Sequence, residues 1–203
     1  MSELPADKAT GQIKDIYEAI EAALGVRLVN LVYRHLATVP GALEWAWYTV
    51  GAPFQAGVFA ERSKALIPAN TAKPQRQISP RSEGLSSSEA GQVIATLDAY
   101  NRANPMNALS LRVITLALEA GRPAIACSFD RPAPVSLPEL LPMAPLDQME
   151  PGTRDLMQRL ARLTTGGDSK IVPSLFRHFA PWPGLLRRLA DAMEEMAVGG
   201  VID

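Results

Sequence analysis

The chain has 203 residues, 47% of them hydrophobic, with 20 Lys+Arg against 21 Asp+Glu and a net charge of −1, which supplies a sizeable core and lacks the basic footprint that nucleic acid demands. No apolar run reaches the roughly 18 residues of a membrane span, and the polar start MSELPADKATGQ is unlike a secretory signal, so the expected location is the cytoplasm, with neither nucleic acid nor membrane as partner. The single cysteine, Cys127, excludes an intrachain disulfide, a Cys-x-x-Cys redox pair and a multi-thiolate zinc site, and no metal site is expected.

In chain order, Ile13, Ile16, Tyr17, Ile20, Ala23 and Leu24 fall at helical spacing with Lys14, Glu18 and Glu21 opposite, predicting an amphipathic helix over 7–24 that ends at Gly25. A second apolar run, 28–37, stops before Pro40, and a longer helix follows from Gly41 until Gly51-Ala52-Pro53 kinks or breaks it. Helix then resumes to about Leu66, and 67–87 has loop composition. Ser86-x-x-Glu89 has capping-box spacing and opens a helix to about Arg102. Asn104-Pro105 reads as an N-cap and first helical residue of a separate helix over 106–120.

Seven prolines between 122 and 151 make a stiff connector, since proline is excluded from helix interiors and central strands. Helical patterning returns at 153–163, 172–180 and 183–198. Alternating strand patterns are lacking, so the fold class is all-α.

A repeat underlies this order. VNLVYRHLATVPGAL (29–43) and VPSLFRHFAPWPGLL (172–186) share seven of fifteen positions at an offset of 143, and the preceding helices align at an offset of 140, Asp15 with Asp155. The expected organisation is a first helical repeat over 1–121, the proline-rich connector over 122–151 and a partial second repeat over 152–203, forming one compact domain. A full second copy would need roughly 60 more residues.

Chemistry-bearing residues are few. His35 and His178 occupy equivalent positions, each after an arginine; they serve either as bases titrating near neutral pH or as the same packed helix corner used twice. Trp45, Trp47 and Trp182 read as core anchors, and Cys127 as an inert buried thiol. Gly-x-Gly-x-x-Gly, P-loop and Gly-x-Ser-x-Gly motifs are lacking. The densest amide cluster is Tyr100-Asn-Arg-Ala-Asn-Pro-Met-Asn107.

The repeated LATxPG block, the AYNRANP segment, the proline-rich connector and the PSxFxxxAxWP block together resemble the group I 2-haloacid dehalogenases, over residues 11 to 198. The resemblance implies an all-helical tandem repeat, commonly a homodimer, with a pocket for a small carboxylate substrate. It also implies halide displacement by an activated water, without cofactor or metal. Asn104 matches the family's water-positioning asparagine. The family's general-base aspartate, in a Ser-Asp-Phe segment, falls at Leu175 in Ser174-Leu175-Phe176, placing Ser174 and Leu175 at the substrate. An isobutyl group accepts no proton, so substitute bases are Asp168 and His178, the latter one turn after Leu175. Two readings follow: a cofactor-independent 2-haloacid hydrolase, or a catalytically degenerate relative that binds a small carboxylate or a protein partner. Residues 172–183 also look like the helix pair of alkyl-hydroperoxidase-D-like proteins, whose Cys-x-x-Cys pair this chain lacks.

Overall fold

The structure, a computed structural model, describes residues 2–66, 84–121, 140–167 and 171–198. Every regular element among them is helical: α1 (Gly11–Leu24), α2 (Leu31–Leu36), α3 (Ala42–Gln55), α4 (Val58–Ser63), α5 (Ser87–Glu119), α6 (Pro151–Thr164), α7 (Ser174–His178) and α8 (Pro183–Val198). Short 3₁₀ turns at Ala6–Lys8 and Leu146–Gln148 precede α1 and α6. Cys127 and most of the connector lie outside the described residues.

The signals that start and stop helices are local. α1 ends at Gly25, whose φ of 69° is the left-handed conformation a side chain resists. Its terminal carbonyl is also met by a cation: Arg102 Nε donates to Leu24 O at 2.7 Å. At the start of α5, Ser86 Oγ accepts from Glu89 N at 3.2 Å while Ser86 N and Oγ donate to Glu89 Oε2 at 2.9 and 2.7 Å, which is the expected capping box. Pro151 is the first residue of α6, where a missing N–H costs nothing.

Two expected breaks do not occur. α3 runs through Gly51 and Pro53 to Gln55. Gly51 serves packing: a Cβ there would lie 2.9 Å from Trp47 Cε2, so the glycine lets the indole lie against its own helix. Trp47 stacks on Phe54 at 5.8 Å, and Phe54 meets Phe59 edge-on at 4.7 Å; buried rings on both sides of Pro53 hold the helix through it.

The second correction is larger. The two helices expected around 104–105 are one, with Pro105 in its interior, so Asn104 is not an N-cap. An interior proline costs about 3 kcal/mol, whereas each large apolar side chain buried contributes roughly 1.5–3 kcal/mol. Ala99, Tyr100, Ala103, Met106, Ile114 and Ala117 are all buried at helical spacing across the proline. That stripe outweighs the lost hydrogen bond.

The described residues form two compact units, one from 2–66 and 99–121, the other from 84–98, 140–167 and 171–198. The N-terminal unit buries Ile16, Ile20, Leu24, Tyr33, Leu43 and Phe54, each almost wholly inaccessible. Here the Tyr17 hydroxyl donates to Leu4 O at 3.0 Å, and burial pushes its pKa up to about 12. The C-terminal unit buries Met157, Leu160, Phe176, Phe179 and Leu186 with Val93. Trp182 packs at its edge and donates Nε1–H to Glu89 Oε1 at 3.1 Å, tying α8's approach to the α5 capping box.

Candidate functional site

The residues marked in the sequence fall on two elements, α5 and α7. On α5, Asn101 and Asn104 are exposed, whereas Asn107, one turn later, is buried at 2% exposure. It shares the inward face with Tyr100, Ala103 and Ser110, as positions three and four apart in a continuous helix must. Neither Asn107 Oδ1 nor Nδ2 has a hydrogen-bond partner among the described residues. Beside it, Ser110 Oγ donates to the Asn107 backbone carbonyl at 2.9 Å and lies 2.6 Å from the Tyr33 hydroxyl. Ser110 has one proton, already given to the carbonyl, so Tyr33 is the donor in that pair. Burial raises the Tyr33 pKa well above its ordinary value, keeping the phenol protonated for this role.

On α7, Ser174 and Leu175 are half-buried in the first turn, and Leu175 packs against the apolar core of the C-terminal unit. Nothing in that isobutyl group binds or moves a proton. His178, buried at the end of the same short helix, directs Nδ1 to the Leu141 carbonyl. A carbonyl only accepts, so Nδ1 carries a proton in this bond. Asp168 lies outside the described residues.

His178 has a counterpart. His35 Nδ1 meets the Ser2 carbonyl at 2.9 Å, and each corner is closed by a backbone bond: Leu4 N to Arg34 O at 2.9 Å, Ala144 N to Arg177 O at 3.3 Å. The arginines also anchor the arriving segment. Arg34 Nε donates to Glu3 at 2.8 Å, and Arg177 Nε donates to Ala144 O at 3.2 Å. In both units the chain before the 3₁₀ turn is thus clasped by an Arg-His pair.

The amide that burial singles out is Asn107, which the sequence reading passed over for Asn104. Spacing alone does not separate them, since 104 lies four residues after 100 and three before 107; the two differ in burial, Asn104 being exposed and Asn107 buried. Among the described residues no group of three or more His, Cys, Asp or Glu is placed to hold a metal ion, and no helix is long and apolar enough to cross a membrane.

No protein-family model and no curated protein matches the chain. Among solved structures it is similar to one described as the complex of a D-2-haloacid dehalogenase mutant with D-2-CPA, at a TM-score of 0.72 and 20% identity, covering 96% of this chain and 70% of that one. The chain therefore shares the all-helical fold of that structure.

Proposed function

We propose that this chain is a haloacid-dehalogenase-like protein whose ligand is a small carboxylic acid, and whose reaction, where it turns over, is cofactor-independent hydrolysis of a 2-halocarboxylate. The observation that carries the reading is the fold likeness, which extends over 96% of the chain. In that reaction a base takes a proton from water, the water oxygen attacks the carbon bearing the halogen, and the carbon–halogen electron pair leaves as halide. Asn104 is the proposed water-positioning residue, Ser174 and Leu175 flank the substrate, and Asp168 or His178 Nε2 is the proposed base. A homodimer in the cytoplasm is the proposed working form.

A second reading, a catalytically degenerate relative that binds a small carboxylate or a protein partner, is favoured by the packing of Leu175, which the resemblance puts at the base position, against the apolar core of its unit.

Halide release from both enantiomers of 2-chloropropionate separates the two, measured on the parent, Asn104→Ala and Leu175→Asp. Turnover in the parent that vanishes in Asn104→Ala establishes the hydrolase and removes the degenerate reading. A silent parent with activity gained by Leu175→Asp establishes a pocket lacking only its base; a carboxyl placed against that apolar cluster has a raised pKa suited to the task. No halide from any of the three, with 2-chloropropionate failing to shift the parent's melting temperature, overturns the carboxylate reading altogether.

A further inference from the structure

The inward face of α5 in the N-terminal unit treats its hydrogen-bonding side chains unequally. Ser110 turns its hydroxyl onto its own helix and accepts a hydrogen bond from the Tyr33 hydroxyl, so both hydroxyls are satisfied internally. Thr96, earlier on the helix, donates to Gln92 O at 2.9 Å in the same manner. Asn107 makes no such bond. Its carboxamide is as buried as its apolar neighbours, and both Oδ1 and Nδ2 lack partners among the described residues. A leucine at this position would continue the stripe of Ala103, Met106 and Ile114 without desolvating any polar atom. An amide in its place requires something that donates to Oδ1 and accepts from Nδ2.

We propose that Asn107 is the binding residue for a small neutral guest presenting one donor and one acceptor, a water molecule in the resting protein. Charge balance selects a neutral guest. Arg34 is the one cation buried in this unit among the described residues, and its Nε and Nη2 face Glu3 while Nη1 donates to Val29 O at 2.7 Å. A carboxylate at Asn107 would be desolvated without a counter-charge. A water needs only polar partners, and the carboxamide supplies two of them. This site is independent of the carboxylate reading above: a chain that releases no halide still holds its guest.

The test is nuclear Overhauser spectroscopy on the ¹⁵N-labelled full chain, with the Asn107 side-chain amide assigned by its loss in Asn107→Leu. The expected result is a direct cross-peak from both amide protons to the water resonance, with exchange slower than for a free amide. It persists in Ser110→Ala, which removes any relay through the neighbouring hydroxyl. Acetate added at millimolar concentration leaves the Asn107 resonances in place. Exchange-protected amide protons with no water cross-peak would overturn the proposal, and that measurement needs only the unmodified chain. A saturable shift with acetate would equally overturn it, by placing a carboxylate where the charge balance forbids one.

Discussion

Replacing Gly25 by alanine tests how the end of α1 is built. Two terms contribute. With φ at 69°, a non-glycine residue in the left-handed region costs roughly 1–2 kcal/mol. The added Cβ would also lie 2.8 Å from Arg102 Nη2 and 3.1 Å from Cζ, so the guanidinium must move and give up its 2.7 Å bond to Leu24 O. A charge-assisted bond contributes about 1.5–3 kcal/mol; Arg102 is exposed, so solvent screening brings this one to about 1 kcal/mol. The steric term cannot exceed what moving this flexible side chain forfeits. The expected loss for Gly25→Ala is therefore roughly 2–3 kcal/mol, or about 5–10 °C in melting temperature for a chain of this size. Arg102→Ala alone costs about 1 kcal/mol. In the Arg102→Ala background Gly25→Ala retains only its backbone term, so the double-mutant cycle, measured by urea unfolding followed by far-ultraviolet circular dichroism, shows coupling of about 1 kcal/mol. Additivity within about 0.3–0.5 kcal/mol would refute the argument that the glycine makes room for the arginine.

Acid sensitivity should concentrate at the start of α5. Glu89 accepts from Ser86 Oγ, from Trp182 Nε1 and from Ser86 N, and these bonds lower its pKa below the ordinary 4.5. A depressed carboxylate contributes stability that is fully present above its unfolded pKa and lost as pH falls through the folded one. The melting-temperature gap between the parent and Glu89→Gln should accordingly narrow from about pH 5 to pH 3, and a constant gap would count against the capping box. Within the same helix, Pro105→Ala restores an N–H opposite the Asn101 carbonyl and should stabilise by about 1–2 kcal/mol, the helical gain exceeding the lost chain stiffness. A lower melting temperature in that variant would show that the proline, not the buried stripe, shapes the helix.

The sequence was legible where one residue type has one physical use. Gly25 ends α1, Ser86 and Glu89 open α5, and the absence of alternation fixed the all-α class; each is a local matter of backbone donors or periodicity. It misled where a local penalty competes with distant packing. Pro53 and Pro105 carry strong breaker signals, yet both lie inside helices, each followed by a buried apolar residue, Phe54 and Met106. Dividing the helix at Pro105 made Asn104 a cap, where the structure places it within a continuous helix. Leu175 lies against an apolar cluster whose members come from α5, α6, α7 and α8, an assembly that spacing does not reveal.

The two units also explain what the histidines are for. The 3₁₀ turns and the helices α1 and α6 recur 140 positions apart, while the Arg-His corners recur 143 apart, Arg34 with Arg177 and His35 with His178. The three extra residues therefore fall between α6 and α7, in a connection of nine residues, 165–173, where its counterpart between α1 and α2, 25–30, has six. Since His35 makes the same Nδ1 bond as His178, that bond belongs to the shared clasp and needs no catalytic explanation. What the second half possesses and the first does not is the longer connection, and the carboxylate within it is Asp168. Should the parent release halide, the base is therefore expected at Asp168: Asp168→Asn should abolish turnover with the melting temperature unchanged, because an amide cannot take the proton from water. His178→Asn should lower the melting temperature while turnover at low temperature survives. The reverse pattern, activity kept in Asp168→Asn and lost in a folded His178→Asn, would assign the proton transfer to Nε2 and make the clasp histidine bifunctional.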